Sequence, residues 1–312
     1  MSKGNDNEGL GCGQRIQKNL ITGFLSLFAL LPLCVLHFIG SVLSFFVRAI
    51  GYRRKVIRKN ITECFPEMSV RERRHIENKF YRHLCDVMME SVKLFHISDA
   101  EMRRRVTVNG VEALNSEIAD GKSIAIMLGH YGNWEWVQEI GRYISSDAIC
   151  GMVYRPMHSN VWDRVFLQMR SRWGFLPIPQ KKVVRELIGM SMRKQSWAIG
   201  FIADQRPNSA SLNHWTYFMN HDTAYSPGAE EISKRVDAAF FYLDIARPRR
   251  GHYTFTFVPI EPDKDDKDPY AYTRKFLEMF EQTVRRDPSM WLWSHNRWKF
   301  GREKSSGEVK KS

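Results

Sequence analysis

The sequence predicts an α/β fold, in which a mostly parallel but mixed β-sheet is flanked by helices and preceded by an N-terminal membrane helix. Three observations lead to this prediction. Short apolar runs alternate with helical stretches from about Val106 onward, which is typical of a sheet covered on both faces. The last two runs are joined only by "RPRRG", Arg247–Gly251, which favours an antiparallel hairpin. An uncharged apolar segment lies near the N-terminus.

The apolar segment Leu20–Val47 contains no Lys, Arg, Asp or Glu, and it exceeds the roughly 20 residues that a membrane-spanning helix needs. We therefore predict a disordered, polar start at residues 1–18 and a membrane anchor helix at residues 19–50. No small-residue cleavage site follows the segment, which argues against a signal peptide. Pro32 and His37 interrupt it, so a tilted span, a kinked helix and a monotopic insertion all stay open. A buried core helix is the alternative to membrane attachment.

The rest of the chain is predicted to form one domain, residues 51–303, followed by a flexible tail at residues 304–312. Ser69 and Glu72 have the spacing of a capping box and predict the start of a long amphipathic helix. The predicted strands are Val106–Val108, Ser123–Leu128, Ile149–Tyr154, Trp197–Ala203, Ala239–Ile245 and Tyr253–Ile260. The predicted helices among them are Val111–Ala119, Trp134–Ile144, Asn160–Arg172, Lys182–Arg193 and Pro227–Val236.

The formal net charge of +13 favours a polyanionic partner, which could be nucleic acid, an anionic lipid surface or an acidic protein. Basic residues are concentrated between Arg48 and His83, directly after the apolar segment. In that place they favour the cytoplasmic side of a membrane and attract anionic lipids. The five cysteines form no Cys-x-x-Cys pair and the histidines do not pair at ligand spacing, so neither a disulfide nor a metal site is predicted.

Polar residues follow three of the predicted strands, at the edge where open α/β sheets bind their ligands. They are His130 after the second strand, Arg155 after the third, and Asp204, Gln205 and Arg206 after the fourth. We therefore expect these side chains to converge at one edge of the sheet. The two arginines would either bind an anionic group or form structural ion pairs.

His130 is the candidate general base, because a neutral imidazole near pH 7 takes a proton from a hydroxyl and returns it to a leaving group. Gly132 permits a turn, and Asn133 is expected to cap the helix after it. Glu135 would lie in the first turn of that helix, where we expect its carboxylate to reach back and fix the tautomer of the imidazole. The nucleophile would then be a hydroxyl of the substrate. The alternative is a structural pair at a spacing that arises often by chance.

Other kinds of site fit the sequence less well. "GKS", Gly121–Ser123, lacks the earlier glycine of a phosphate loop and precedes a strand instead of following one. The sequence has neither a Gly-x-Ser-x-Gly elbow nor a His-Glu-x-x-His motif. "WLWSHNRWKF", Trp291–Phe300, mixes aromatic and basic residues as single-strand nucleic-acid sites do. Because an apolar membrane segment is present, we prefer an amphipathic edge at the lipid headgroups.

Taken together, these segments resemble the lipid A biosynthesis acyltransferase family, the late lauroyl and myristoyl transferases of Gram-negative bacteria. The matching segments run in order along nearly the whole chain: the apolar segment, "YRRKVIRKNITECFPEMS" from Tyr52, "GHYGNWEW" from Gly129, "VYRP" from Val153, "ADQRP" from Ala203 and "WLWSHNRWK" from Trp291. In this family a His-x4-Asp/Glu motif carries catalysis, which by resemblance falls on His130 and Glu135. Arg155 and Asp204 match positions that line the same site.

The resemblance implies the glycerolipid acyltransferase α/β fold, acyl carrier protein as the carrier of the donor acyl chain, and a hydroxyl of a lipid A precursor as the acceptor. It also implies an enzyme without a cofactor or a nucleic-acid partner, located at the bacterial inner membrane with its catalytic domain facing the cytoplasm. Acyl carrier protein is small and acidic, which suits the positive charge of the chain. Two alternatives stay open: acylation of another lipid, such as an ornithine lipid, and a membrane-anchored lipid- or nucleic-acid-binding module with a structural His130.

Overall fold

The computed structural model describes residues 10–171, 173–208 and 212–302. The beginning of the predicted disordered segment (residues 1–9), the predicted tail at residues 304–312 and the predicted helix end at Arg172 lie outside this range. The strands are β1 Val106–Asn109, β2 Ile124–Leu128, β3 Ala148–Tyr154, β4 Leu176–Pro179, β5 Ser196–Ile202, β6 His214–Phe218, β7 His221–Tyr225, β8 Ala239–Arg249 and β9 His252–Pro259. The α-helices are α1 Cys12–Phe28, α2 Leu33–Ala49, α3 Arg54–Cys64, α4 Val70–Lys93, α5 Asp99–Arg105, α6 Val111–Ala119, α7 Asn160–Arg170, α8 Val183–Met192, α9 Gly228–Lys234 and α10 Ala271–Arg286.

Within the described residues, a seven-stranded sheet has the order β1-β9-β8-β2-β5-β3-β4. All its pairs are parallel except β8 with β9, which form the antiparallel hairpin that the short connection predicts. Strand β2 lies between β5 and β8 and every one of its residues is buried, because helices cover both faces of a sheet built in this way. The predicted α/β fold with a mixed sheet is therefore confirmed, and each of the six predicted strands is present.

Several elements were not predicted. Strand β4 is a short edge strand whose sequence "LPIP" contains two prolines, which weaken a strand prediction but are tolerated at an edge. The hairpin β6–β7 forms a separate two-stranded sheet. Helix α10 was missed although its buried residues, among them Phe276, Phe280 and Val284, recur at helical spacing. The predicted helix Trp134–Ile144 is instead a 3-10 helix at Trp136–Arg142.

The predicted single membrane helix at the N-terminus is not confirmed. The chain forms two helices, α1 and α2, which meet at 110° across a break that contains Pro32. Residues 12–18, predicted to be disordered, belong to α1. In the described part of the chain no helix alone has both the length and the apolarity to cross a membrane; only this bent pair, taken together, meets that criterion. Proline lacks the amide proton that would continue the hydrogen-bond ladder of the helix, which accounts for the break.

The long helix begins where its capping box predicts. Ser69 Oγ accepts a hydrogen bond from the amide of Glu72, and a carboxylate oxygen of Glu72 accepts one from the amide of Ser69 at 2.7 Å. Helix α4 runs from there to Lys93 and packs along α2 on one side. Its other contacts include the turn that follows β2, so α4 connects the N-terminal helix pair with the edge of the sheet.

Candidate active site

At the carboxyl edge of the sheet, a hydrogen bond joins His130 to Asp204. Strands β2 and β5 are neighbours with Leu128 opposite Ile202, so the residues two positions further along also lie side by side. His130 Nδ1 lies 2.7 Å from Asp204 Oδ1. Asp204 is 2% exposed, whereas the imidazole is partly exposed. The predicted convergence of these two residues at one edge is therefore observed.

Asp204 is held in the ionised form by its neighbours. Burial opposes ionisation, but the adjacent His130 and hydrogen bonds from His130 and Trp291 together lower the pKa of Asp204 below its ordinary value. Trp291 Nε1 donates to the second oxygen, Oδ2, at 2.8 Å. An ionised carboxylate only accepts hydrogen bonds, so Nδ1 of His130 carries a proton, and the Nε2 atom on the other side of the ring lies near the side-chain amide of Gln205.

The C-terminal aromatic segment, Trp291–Phe300, packs behind His130 and Asp204 with its first tryptophans buried. This contradicts the prediction that the segment forms an amphipathic edge at the lipid headgroups. Trp291 is 4% exposed, Trp293 is 1% exposed and Arg297 is 3% exposed. The segment pairs with the turn after β2, since the amide of Leu292 donates to the carbonyl of His130 at 3.1 Å. Aromatic and basic composition alone did not distinguish a membrane edge from a buried wall, because both place tryptophan beside polar groups.

The predicted hydrogen bond between Glu135 and the imidazole of His130 is not observed. Its two carboxylate oxygens accept hydrogen bonds from the guanidinium of Arg170 on α7, at 2.9 Å from Nε and 2.6 Å from Nη2. No hydrogen bond joins Glu135 to His130 among the described residues, and Asp204 takes the place that was expected for Glu135. The prediction failed because Arg170 is far away in sequence and a bidentate arginine is a stronger partner for a carboxylate than a neutral imidazole.

Two glycines are required by the shape of the turn at residues 129–133. A Cβ at Gly129 would lie 2.3 Å from the ring of Phe280. Gly132 has a φ of +59°, and a Cβ there would lie 2.5 Å from Cγ2 of Ile245. Neither position has space for a side chain, so the backbone packs directly against the core and presents His130 outward.

Asn133 caps the segment after the turn and connects the turn to helix α4. Its side-chain oxygen accepts hydrogen bonds from the amides of Glu135 and Trp136, both at 3.1 Å, as the predicted cap should. Its side-chain nitrogen donates to the fully buried carboxylate of Glu90 at 2.7 Å. Glu90 also accepts from the Tyr253 hydroxyl at 2.8 Å, so one carboxylate on α4 holds both the turn and β9.

His83 on α4 supports the same turn. Its Nε2 donates to the carbonyl of Gly132 at 3.1 Å, and its Nδ1 accepts from Arg247 Nη1 at 2.9 Å. Burial and the positive charge of Arg247 lower the pKa of His83 to about 3, against a smaller opposing effect of the bond to Gly132. His83 is therefore a neutral structural residue. It was not predicted, because a histidine on the buried face of a helix has no distinguishing pattern in the sequence.

The other three predicted site residues, Gln205, Arg206 and Arg155, lie at the same edge of the sheet, and the contacts of Gln205 and Arg206 are longer than the bond between His130 and Asp204. The amide nitrogen of Gln205 lies 3.4 Å from His130 Nε2, on the side of the ring that faces away from Asp204. The guanidinium of Arg206 lies 5.0 Å from the centre of the Phe300 ring. Arg155, after β3, is exposed. Since β3 adjoins β5 in the sheet, all three strand ends meet at one edge.

This arrangement is suited to moving a proton at His130 Nε2. An ionised, buried Asp204 orients the ring and stabilises the imidazolium that would form, while Nε2 points toward the partly exposed side. The described residues near His130 include no serine or cysteine hydrogen-bonded to Nε2. Among the described residues, Nε2 therefore lies near the amide of Gln205 and is not bonded to a protein hydroxyl or thiol.

Comparison with known proteins places most of the chain in one family. Residues 13–300 match the model of the bacterial lipid A biosynthesis acyltransferase. The chain is 25% identical over 283 residues to the lipid A biosynthesis palmitoleoyltransferase of Escherichia coli K12, an alignment that covers 89% of each chain. It is 24% identical over 284 residues to the lipid A biosynthesis lauroyltransferase of the same organism, again covering 89% of each. A lipid A biosynthesis acyltransferase of Haemophilus influenzae is 22% identical over 275 residues, 86% of each chain. The chain belongs to the bacterial lipid A biosynthesis acyltransferase family, and it is an acyltransferase.

Proposed function

We propose that this member of the family transfers a fatty acyl chain from acyl carrier protein to a hydroxyl of a lipid A precursor, as a secondary acylation in lipopolysaccharide biosynthesis. The observation that carries the proposal is the hydrogen bond of 2.7 Å between His130 and the buried Asp204. This bond supports a role for Nε2 as an oriented base, with the nucleophile supplied by the substrate. The family supports acylation of lipid A; the donor and the roles of individual residues are our proposal.

In the proposed reaction, His130 Nε2 takes the proton of the acceptor hydroxyl while the hydroxyl oxygen attacks the thioester carbonyl. The tetrahedral intermediate then collapses, the carbon–sulfur bond breaks, and the imidazolium returns its proton to the leaving sulfur. Asp204 stays ionised throughout and accepts a hydrogen bond from Nδ1–H, while that proton remains on the imidazole. The acceptor oxygen would replace the amide of Gln205, which lies 3.4 Å from Nε2.

The charged groups around the dyad have supporting roles in this proposal. Arg155 and Arg206 would bind phosphate groups of the acceptor at the edge of the site, because guanidinium groups bind phosphate with paired hydrogen bonds. Glu135 would act through its pair with Arg170, which fixes the segment after the turn. The reaction would take place at the cytoplasmic face of the inner membrane, where exposed basic residues such as Arg53 and Lys55 attract anionic lipids and the carrier protein.

The test is mass spectrometry of lipid A from cells that produce the wild-type chain or the His130→Ala variant at matched protein levels. Loss of a general base lowers the rate by about 10² to 10⁴, so we expect lipid A to lose one acyl chain in the variant only. His96→Ala, a change of an exposed histidine three residues after the end of α4, is the matched control. Full acylation by a folded His130→Ala chain would refute the mechanism, and a shift in another lipid alone would refute the acceptor.

The donor is tested with the purified protein. We expect turnover with acyl chains on acyl carrier protein and a much lower kcat/KM with the same chains on coenzyme A, because a large acidic carrier is complementary to the net charge of +13. Added salt should reduce this preference, since it screens exposed charges. Equal kcat/KM for the two donors at low salt would contradict the proposed donor.

A further inference from the structure

Helices α1 and α2 carry nine of the 19 large apolar side chains that are exposed among the described residues. Leu20 on α1 and Phe38 on α2 are each 69% exposed. The others recur at helical spacing on the same two helices: Ile16, Phe24 and Leu27 on α1, and Val35, Val42, Phe45 and Phe46 on α2. Each helix thus has an apolar stripe that the described part of the protein leaves uncovered.

The opposite face of α2 is bound to charged side chains of the catalytic domain. His37 Nε2 lies 2.8 Å from a carboxylate oxygen of Glu90 on α4. Arg250, after β8, donates to the carbonyl of His37 at 2.7 Å and to Ser41 Oγ at 2.9 Å, and it is paired with Asp86 on α4. These contacts run along the middle of α2, so the helix lies lengthwise on the domain.

The angle between the two helices is held by a buried lysine. Lys93 is 6% exposed, and its ammonium group donates to the carbonyls of Ala29 at 3.0 Å and Leu31 at 2.9 Å. These carbonyls lie in the break before Pro32, where no helical amide can bond to them. Lys93 therefore satisfies the broken backbone from the side of the catalytic domain and stabilises the bend of 110°.

From these contacts we infer that α1 and α2 lie in the plane of the membrane, with their apolar stripes in one leaflet, and that neither helix crosses it. If α2 crossed the bilayer, the ionisable groups along its inner face would enter the hydrocarbon layer, where charged side chains are strongly disfavoured. The apolar stripes contact a leaflet that contains anionic phospholipid. Exposed Arg15 precedes the stripe of α1, and exposed Arg53 and Lys55 follow the stripe of α2, where they attract anionic headgroups. The inference rests on the membrane location proposed above.

Native cysteines allow a direct test of this topology. Cys12, at the start of α1, and Cys34 are exposed. Burial raises the pKa of the other thiols, which slows their reaction with maleimides: Cys64, Cys85 and Cys150. A Cys34→Ser variant therefore reports on Cys12. As a marker of the catalytic side, Met192→Cys at the 81% exposed end of α8 is introduced into a chain that also carries Cys12→Ser and Cys34→Ser.

Spheroplasts and inverted membrane vesicles are treated with a membrane-impermeant maleimide. For an in-plane pair, we expect Cys12 and the Met192→Cys thiol to be labelled in inverted vesicles and protected in spheroplasts. Labelling of Cys12 in spheroplasts, with the Met192→Cys thiol labelled only in inverted vesicles, would place the two on opposite sides and overturn the inference.

A matched pair of double variants tests the lipid-contacting stripes. Leu20→Glu with Phe38→Glu should lower binding of the purified chain to phosphatidylethanolamine–phosphatidylglycerol vesicles by about tenfold or more, because two large apolar side chains leave the leaflet. Met192→Glu with Tyr217→Glu changes two large side chains elsewhere that are 81% and 69% exposed, and it should leave binding unchanged. Equal binding by both double variants would also overturn the inference.

Neither measurement depends on turnover. A chain whose Cys12 is protected in spheroplasts but which leaves lipid A unchanged would refute the proposed function and keep the topology. A chain that acylates lipid A while Cys12 is labelled in spheroplasts would refute the topology and keep the function.

Discussion

The turn at residues 129–133 has two sides, and each contains a histidine in a different electrostatic setting. On the outer side, His130 is partly exposed and bonded to the carboxylate of Asp204. On the inner side, His83 is buried and bonded to the guanidinium of Arg247. A carboxylate favours the imidazolium, whereas a guanidinium opposes it. The same residue type is therefore suited to proton transfer in one place and to permanent neutrality in the other.

The carboxylates around the turn differ in the same way. Asp204 bonds to the reactive ring, Glu135 bonds to Arg170, and Glu90 bonds to Asn133 and Tyr253. Of these three carboxylates, only that of Asp204 is hydrogen-bonded to the imidazole of His130. In the proposed mechanism, Asp204 therefore acts with the base, whereas Glu135 and Glu90 hold the segments around it.

The largest expected effect comes from Asp204→Asn. Trp291 Nε1 needs an acceptor, so the amide oxygen would face Trp291 and the amide nitrogen would face His130 Nδ1. The ring would then carry its proton on Nε2 and lose the lone pair that acts as base, which lowers kcat by about 10⁴. Steady-state kinetics with exposed Asp222→Asn as the control checks this; a loss smaller than tenfold would mean that Asp204 does not orient the base.

A smaller loss of activity is expected for Glu135→Gln, together with a loss of stability. The change removes the carboxylate that pairs with Arg170, and a partly buried guanidinium without its partner lowers the free energy of unfolding by about 1–3 kcal/mol. Displacement of the adjacent turn should lower kcat by about tenfold to a hundredfold. Urea unfolding and kinetics are compared with Glu278→Gln, an exposed change on α10. A kcat loss equal to that of Asp204→Asn would assign both carboxylates to the chemistry.

Glu90→Gln tests the inner side of the turn. One carboxylate accepts from three side chains, those of Asn133, Tyr253 and His37, and a glutamine amide has only one acceptor oxygen. We expect the free energy of unfolding to fall by about 1–3 kcal/mol and kcat to fall by about tenfold, with the pH dependence of kcat unchanged. A displaced pH profile would show that Glu90 acts on His130 electrostatically and not only through position.

The smallest effect on activity is expected from substitution of His83. This residue instead makes the free energy of unfolding depend on pH below neutrality. In the unfolded chain its pKa is near 6.5, whereas in the folded protein it is about 3, so the unfolded state binds the additional proton as the pH falls through this range. The free energy of unfolding should decrease by about 1.4 kcal/mol for each pH unit below 6.5 from this residue and should be unaffected above it. Urea unfolding of the wild-type chain and of His83→Gln at several pH values measures how much of the pH dependence of the free energy of unfolding comes from His83. Parallel curves for the two proteins would contradict it.

Local patterns were sufficient to predict six of the nine described strands, the capping box at Ser69 and the strand-end position of His130, Arg155 and Asp204. These features depend on residues close together in the chain: periods of apolar residues, cap spacing, and the rule that ligands bind beyond strand ends. The sequence by itself therefore determined the α/β class, the edge at which the site lies and, through ordered motifs, the family.

Only the tertiary structure decided which groups bond to one another. Arg170 bonds to Glu135 across 35 positions and Asp204 bonds to His130 across 74, and no spacing rule predicts such partners. The same holds for Trp291, which lies against Asp204 instead of at a lipid surface, and for Lys93, which holds the bend between α1 and α2. Hydrogen-bond energies depend on distance in space, so residues remote in sequence compete for one carboxylate, and the folded geometry decides which of them bonds to it.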